Sequence, residues 1–381
     1  MSKSGQEQVK SLRVLQVCHD YQGPFQNVCR LYCEAFSSSH VTTLYLRGSE
    51  DASVVEATGG DRVLFFEQRE GSLRGFKLAL IFRLAGIFRK NRYDIVIAHR
   101  YKAIYLTGIM SYFFPIAVLL GVAHEHSVFK RITRALFVTF WRRNIHLLAV
   151  SDSVRQDVLR YCPSLGLQHR IHTLENALDP QLATELLSPE EARRELGIPD
   201  HVYCYAAVGR LVAKKNHDVL LRAYAEIVSP DNCLVIVGSG PRYASLLSLS
   251  RDLGIEPNVI FTGNVPGAYR IYRAFDGFVF TSGVEEAFGI VLLEAMLAEI
   301  PIICSDAAGP REVVGDAGLL FEAGNAKILA KQMKVLEEMD LNERQELQFR
   351  GKSRFFAEYT MEQFVRRLNS LPVFNDYREL Y

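Results

Sequence analysis

The chain has 381 residues, of which 49% are hydrophobic, and a formal net charge of +1. That length accommodates two domains of ordinary size, and that composition fills their cores and excludes disorder. A charge so close to zero sets up no global field toward nucleic acid, so any basic patch must be local and no nucleic-acid partner is expected. The opening MSKSGQEQVKSLR is polar and precedes an apolar strand, unlike a secretory leader. The seven cysteines include no C-x-x-C pair, and most lie in apolar runs, where they read as small core residues. Cys29 and Cys33 fall one helical turn apart, but no second cluster completes a zinc site. Both features suit a reducing cytoplasm.

In chain order, short apolar strands are predicted at 12–18, 41–46, 62–66, 94–99, 116–120 and 146–151, with helical stretches between most of them. LRVLQVC (12–18) is continuously apolar in outline, the mark of a parallel strand buried on both faces. The 21 uncharged residues Ala103 to Ala123 meet the length of a membrane span, yet Ser111, Tyr112 and the turn-like FFP divide them. They read as a buried helix followed by a core strand. SDSVRQDVLRYC is a helix capped by Ser151 or Asp152, and LSPEEARRELGIPD a polar helix closing at Gly197 and Pro199. Strands then resume at 201–209, 232–238, 258–263, 277–282, 301–306 and 318–321, again with helices between. Past 325 the chain is amphipathic and charged. Strand and helix in alternation, twice over, implies two doubly wound α/β domains with a boundary within 176–200.

The most informative stretch is GVEEAFGIVLLEAMLAEIP (283–301). A loop with two acids, Glu285 and Glu286, runs through Phe288 and Gly289 into an apolar helix. On that helix Glu294 shares a face with Ile290, Val291, Leu297 and Ala298. A carboxylate on an apolar stripe must be compensated, either by an Arg or Lys elsewhere or by the hydroxyls of a ligand such as a ribose diol. A helix N-terminus beside it suits phosphate.

EAFGIVLLEA resembles the paired-glutamate motif of retaining glycosyltransferases with the GT-B fold, most closely family 4: Glu, seven residues, then Glu, with Phe-Gly after the first acid and Ala after the second. The resemblance covers most of 200–370 well and 1–175 loosely. It implies two Rossmann-like domains facing a cleft. Residues 1–178 would bind the acceptor and 179–365 the nucleotide sugar, with 366–381 returning to the first domain. In those roles Glu286 holds the donor sugar's hydroxyls and Glu294 the ribose, with Phe288, Gly289 and Ile290 at the donor.

VGRLVAKKNHDVLL resembles the family's G-R-L…K motif, whose Arg and Lys contact the donor pyrophosphate. Here these are Arg210 and Lys215, with Lys214 a substitute and Asn216 where Gly is common. Read without the resemblance, they form a solvated basic loop. VGSGPRY has Tyr243 in place of the third glycine of a dinucleotide fingerprint. With NVIFTGNVP it resembles the family's floor under the base, placing Gly238 and Val265 at the donor. His124 and His126 in VAHEHSVF lack a third ligand at metal spacing, so no metal is expected; the alternatives are a surface histidine or the family's contact to the donor sugar. His126 is preferred for that contact and His124 for the acceptor. The first loop, HDYQGPFQNV, departs from the family's Gly-Gly pattern; Gly23 remains a donor candidate, and His19 and Asp20 are candidate acceptor contacts.

SLRGFKLALIFRLAGIFRKNR (72–92) and FKRITRALFVTFWRRN (129–144) pair large apolar residues with clustered Lys and Arg. They read either as sheet-covering helices with solvated basic faces or as a surface for anionic membrane. The expected activity is transfer of a hexose-type sugar from a nucleoside diphosphate to a glycan or lipid-linked acceptor, in lipopolysaccharide- or polysaccharide-type biosynthesis. The nucleotide sugar is a co-substrate and no further cofactor is required. The location is cytoplasmic, with the inner membrane face as the peripheral alternative. Epimerisation or isomerisation of a sugar nucleotide is the rival activity, and a non-catalytic sugar-nucleotide binder a third reading.

Overall fold

A computed structural model of the chain describes residues 11–21, 25–68, 78–140, 145–162 and 170–374. These residues form two compact units. One comprises the residues before 151, Val154–Leu174 and the residues from Val365 on; the other comprises Ser151–Ser153 and Glu175–Phe364.

The first unit holds β1 (Arg13–Cys18), β2 (His40–Arg47), β3 (Arg62–Gln68), β4 (Ile95–His99), β5 (Val118–Ala123), β6 (Ile145–Ala149) and β7 (Ile171–Thr173). They form one parallel sheet in the order β3-β2-β1-β4-β5-β6-β7. The buried strand residues, among them Val14, Leu15 and Val17 of β1 and Ile95 to Ala98 of β4, have no exposed surface because helices cover both faces. Those helices are α1 (Phe25–Ala35), α2 (Ala52–Thr58), α3 (Leu78–Lys90), α4 (Arg100–Phe113), α5 (Ile132–Phe140) and α6 (Asp152–Tyr161). Right-handed crossovers put α1 and α2 on one face of the sheet and α3, α4 and α5 on the other.

The uncharged run 103–123 resolves into α4 and β5, and among the described residues no helix is long and apolar enough to cross a membrane. The strand lies two to three residues later than IAVLL predicts. Asp94 O accepts from the backbone N–H of both Ala117 and Val118, which sets Val118 opposite Ile95. Gly121 continues the strand under Ile104, whose Cγ1 lies 3.0 Å from where a Cβ would stand. His124 therefore follows the strand's last residue directly.

The second unit repeats the design with β8 (Tyr203–Val208), β9 (Asn232–Val237), β10 (Val259–Gly263), β11 (Gly277–Phe280), β12 (Ile302–Ser305) and β13 (Gly318–Phe321), parallel in the order β10-β9-β8-β11-β12-β13. Its helices are α7 (Pro189–Leu196), α8 (His217–Ala225), α9 (Tyr243–Asp252), α10 (Ile290–Leu297), α11 (Ala308–Val314), α12 (Ala326–Glu338) and α13 (Leu341–Glu358); α14 (Met361–Asn369) follows. A capping box between Ser188 and Glu191 starts α7, and left-handed Gly197 ends it. Beyond α14, Phe374 packs on Phe36 of the first unit's sheet layer, ring centroids 6.3 Å apart.

Candidate active site

In an open parallel sheet, ligands bind beyond the carboxyl ends of the strands where the strand order reverses. In the second unit that point lies between β8 and β11. The backbone there is drawn tight. Gly209 N–H donates to Val237 O at 2.9 Å and Gly238 N–H to Gly263 O at 2.8 Å. Gly238 has φ 139°, and a Cβ on it would stand 2.0 Å from Gly209 O. Only glycine fits.

Arg210 leaves the end of β8 exposed, and its guanidinium makes no hydrogen bond or ion pair with a described residue. Lys215 is instead drawn inward: its Nζ donates to Glu286 Oε2 at 2.7 Å, with side chains 16% and 12% exposed. Thr281 Oγ1 holds the Lys215 carbonyl at 2.8 Å. Burial pulls the Lys215 pKa down against the opposing pull of Glu286. Burial would raise Glu286, but Lys215, with smaller contributions from Lys214 and Ser282, holds that carboxyl below its ordinary value. Asn216 adopts the left-handed conformation (φ 50°), which explains a glycine-like position filled by one of the few other residues that tolerate it.

Gly289 (φ 98°) turns the chain into α10 with no side-chain cap, which leaves the first amides of the helix without a side-chain acceptor, a geometry suited to an anion. The helix is shorter than the apolar run: Ala298 N–H closes on Glu294 O and left-handed Glu299 ends it. Glu294 is only partly shielded from solvent, and no Arg or Lys pairs with it among the described residues. Tyr272 Oη donates to its Oε2 at 2.8 Å, and burial raises its pKa. One further polar atom near these groups, His217 Nδ1, is buried without a partner among the described residues.

The first unit reverses its strand order between β1 and β4. Beyond β1, His19 Nδ1 lies 2.7 Å from Asp20 Oδ2. Beyond β4, Arg100 enters α4 with φ 70° and lies 3.8 Å from Asp20 and 3.3 Å from Glu125, its guanidinium 4.0 Å above the Phe25 ring. His124 Nε2 meets His99 Nδ1 at 3.1 Å, and His99 Nε2 meets Gln16 Oε1 at 2.7 Å. His126 lies two residues on, in a turn.

A family model for glycosyl transferases group 1 matches residues 188–354, and one for glycosyltransferase family 4 matches residues 26–182. The structure of the Anabaena protein Alr3699/HepE in complex with UDP and glucose superposes with a TM-score of 0.80 over 94% of this chain and 98% of that one, at 19% identity. The chain carries a glycosyltransferase family 4 domain followed by a group 1 domain, on the GT-B fold. The chain is also 34% identical over 175 residues to an uncharacterized glycosyltransferase of Methanocaldococcus jannaschii, covering 44% of each chain. A Campylobacter jejuni enzyme that adds N-acetylgalactosamine to a diphospho-undecaprenol-linked sugar is 36% identical over 137 residues, covering 35% of this chain and 37% of that one. The matched segments thus span less than half of these relatives' length.

The residues singled out from sequence fall into two groups. Arg210, Lys215, Gly238, Glu286, Gly289, Ile290 and Glu294 lie along the carboxyl edge of the second sheet, with Val265 two residues past the end of β10. Phe288 differs: its ring is 3% exposed and packs edge-on against Tyr359 at 5.9 Å, leaving only its backbone at the helix start. His19, Asp20 and His124 lie at the edge of the first sheet. Gly23 lies outside the described residues, as do Trp141 and 72–77 of the basic stretches. Among the described residues no group of three or more His, Cys, Asp or Glu is placed to hold a metal ion. Sequence reasoning missed Tyr272, Thr281, Ser282, Gln16, His99 and Arg100. None carries a local signal, since each reaches its site only through the sheet order.

Proposed function

We propose that the enzyme transfers a hexose-type sugar, with retention of configuration, from a nucleoside diphosphate to a hydroxyl of a glycan or lipid-linked glycan. The supporting observation is the edge of the second sheet: an unpaired guanidinium, an ammonium–carboxylate pair, an uncapped helix N-terminus and a lone shielded carboxylate. That set matches the parts of a sugar nucleotide. Glu294 takes the ribose diol, Arg210, Lys215 and the first amides of α10 take the diphosphate, and Glu286 takes hydroxyls of the sugar. The UDP and glucose of the Anabaena structure and the lipid diphosphate of the Campylobacter relative are consistent with this assignment.

As the bond from the sugar's C1 to the diphosphate oxygen breaks, charge builds on the leaving group, and fixed cations and amides stabilise it most where it is greatest. The acceptor oxygen bonds to C1 on the same face and its proton passes to a departing phosphate oxygen. No step calls on a metal, so a chelator is expected to leave turnover unchanged. The Lys215–Glu286 pair must loosen for both groups to reach substrate, which couples diphosphate binding to release of Glu286 for the sugar.

A thermal-shift panel with UDP, GDP, ADP and their sugar conjugates tests this reading. Free ligand at a hundred times Kd stabilises by about 2.7 kcal/mol, so the donor's nucleotide stands out. A shift lost in Arg210→Ala and Glu294→Ala supports the site; no shift with any nucleotide overturns it. Product analysis without acceptor separates the rival activity, because transfer predicts slow donor hydrolysis and the isomerase an epimerised donor.

The first unit suggests where the acceptor resides. On its α3–α5 face, Leu78 and Phe82 of α3 are exposed one turn apart, and Ile132, Leu136 and Phe140 make an exposed stripe along α5. Exposed Lys130, Arg131, Arg89 and Lys90 accompany them. Apolar side chains flanked by cations match an anionic lipid surface, with the helices lying on the inner leaflet and the acceptor lipid-linked. The parent is expected to sediment with phosphatidylglycerol vesicles and not with phosphatidylcholine, and Phe140→Ser with Ile132→Ser to weaken it. A parent that ignores both vesicles refutes the membrane surface and leaves the donor site untouched.

A further inference from the structure

The polar chain inside the first unit has a direction, and one amide sets it. Gln16 lies in the middle of β1 with no exposed surface. Its Nε2 is 3.1 Å from the Cys29 carbonyl and 3.1 Å from Thr43 Oγ1, which β1–β2 pairing places directly opposite. A carbonyl only accepts, so the amide nitrogen must face it and Oε1 must face His99. Oε1 also only accepts, and the His99 Nε2 at 2.7 Å therefore carries the hydrogen. His99 is unexposed, with Tyr32 edge-on at 5.0 Å, and burial keeps its ring neutral, its pKa lowered to about 3. A neutral ring protonated on Nε2 has its lone pair on Nδ1. That lone pair accepts from His124 Nε2 at 3.1 Å. His124, also held neutral by burial with His99 and Arg100 adding to the effect, then keeps its own lone pair on Nδ1. That atom bonds no described residue.

His124 is the first residue past β5, partly exposed at the carboxyl edge of the sheet, with the Phe25 ring edge-on at 5.2 Å. We propose that Gln16 and His99 are positioning residues that hold His124 in its Nε2–H tautomer, so that its Nδ1 lone pair accepts a hydrogen bond from a hydroxyl of a sugar substrate bound at the edge of the first sheet. The hydroxyl rests on the proposed function; the tautomer does not. With the opposite tautomer His124 would present an N–H, and the same hydroxyl would have to accept instead of donate. This gives the hydroxyl contact to His124, which is tied to the buried chain, rather than to His126 in the turn beyond.

The ring nitrogens of the full chain, labelled with 15N-histidine, report the tautomer directly by NMR. The parent is expected to show His99 and His124 both protonated on Nε2. In Gln16→Met the His99 proton loses its acceptor and moves to Nδ1, where it donates to His124, and His124 inverts to Nδ1–H. Gln16→Glu keeps an acceptor toward His99 and retains the parental tautomer. A parent with His124 on Nδ1–H or averaged between forms overturns the positioning whether or not Gln16→Met folds. So does a folded Gln16→Met with unchanged rings.

The second arm is kcat/KM for transfer from the donor identified by thermal shift. Loss of one hydrogen bond to the hydroxyl lowers it roughly ten-fold in Gln16→Met, with the nucleotide thermal shift intact and Gln16→Glu near the parent. Inverted tautomers with unchanged turnover refute the hydroxyl contact. Absence of transfer in the parent counts against the proposed activity alone, because the ring nitrogens decide the positioning without it.

Discussion

Glu294→Gln is expected to make the ligand-free protein more stable and its nucleotide affinity weaker. Glu294 Oε2 accepts from Tyr272 Oη at 2.8 Å, and no cation pairs with the carboxyl among the described residues. Burial raises its pKa above the ordinary 4.5, with only Tyr272 opposing. A carboxyl whose folded pKa is raised contributes its full stability below the unfolded value and loses it as pH rises through the folded value. Glutamine has nothing to ionise. The two proteins should therefore melt alike below 4.5, and the variant should pull ahead as pH rises through the raised value and hold its lead above it. In the complex the comparison reverses. A ribose diol donating to a carboxylate makes charge-assisted bonds, and replacing the carboxylate removes about 1.5–3 kcal/mol, roughly ten- to a hundred-fold in Kd. The amide oxygen still serves Tyr272, so the loss falls on the ligand. Thermal unfolding from pH 4 to 8 and calorimetric titration with the nucleotide measure both halves. A variant less stable than the parent at every pH, or one that binds nucleotide as tightly, refutes the placement of the ribose at Glu294.

Other substitutions separate the remaining parts. Arg210 is exposed and makes no hydrogen bond or ion pair with a described residue, so Arg210→Ala should leave stability within about 0.5 kcal/mol while weakening the nucleoside diphosphate roughly ten- to a hundred-fold. The deficit should shrink in salt and vanish for the bare nucleoside; an equal loss for the nucleoside contradicts a diphosphate contact. For the Lys215–Glu286 pair, 16% and 12% exposed, removing either partner strands a shielded charge. Lys215→Met and Glu286→Leu should each cost up to about 3 kcal/mol in urea unfolding, and the double variant less than their sum. Additive losses would mean the two do not interact. Gly238→Ala puts a Cβ 2.0 Å from Gly209 O at φ 139°, whereas Gly254 (φ 69°) has nothing within 4 Å. The first should cost on the order of 3 kcal/mol or more and the second about 1, read as the difference in melting.

Strands of a parallel sheet covered on both faces read as continuous apolar runs, so RVLQVC and NCLVIV announce themselves locally, and the paired-glutamate spacing is equally local. What those segments meet is another matter. Tyr272 sits in a 3₁₀ helix (Ala268–Ala274) 22 residues before Glu294, in a stretch with no motif, and reaches the carboxylate only because β11 and α10 intervene as they do. His99 stands 83 residues from Gln16. The sequence around each shows only a polar residue inside an apolar strand, which by itself looks like a defect. The order β2-β1-β4-β5 turns these isolated departures into neighbours, since Thr43, Gln16, His99 and His124 then lie on or just beyond four successive strands. Periodicity reports which face a residue takes and says nothing of which strand lies beside it. Polar residues breaking strands that the sheet order makes adjacent are therefore the ones to examine together, and here they form one hydrogen-bonded chain ending at the ligand edge of the sheet.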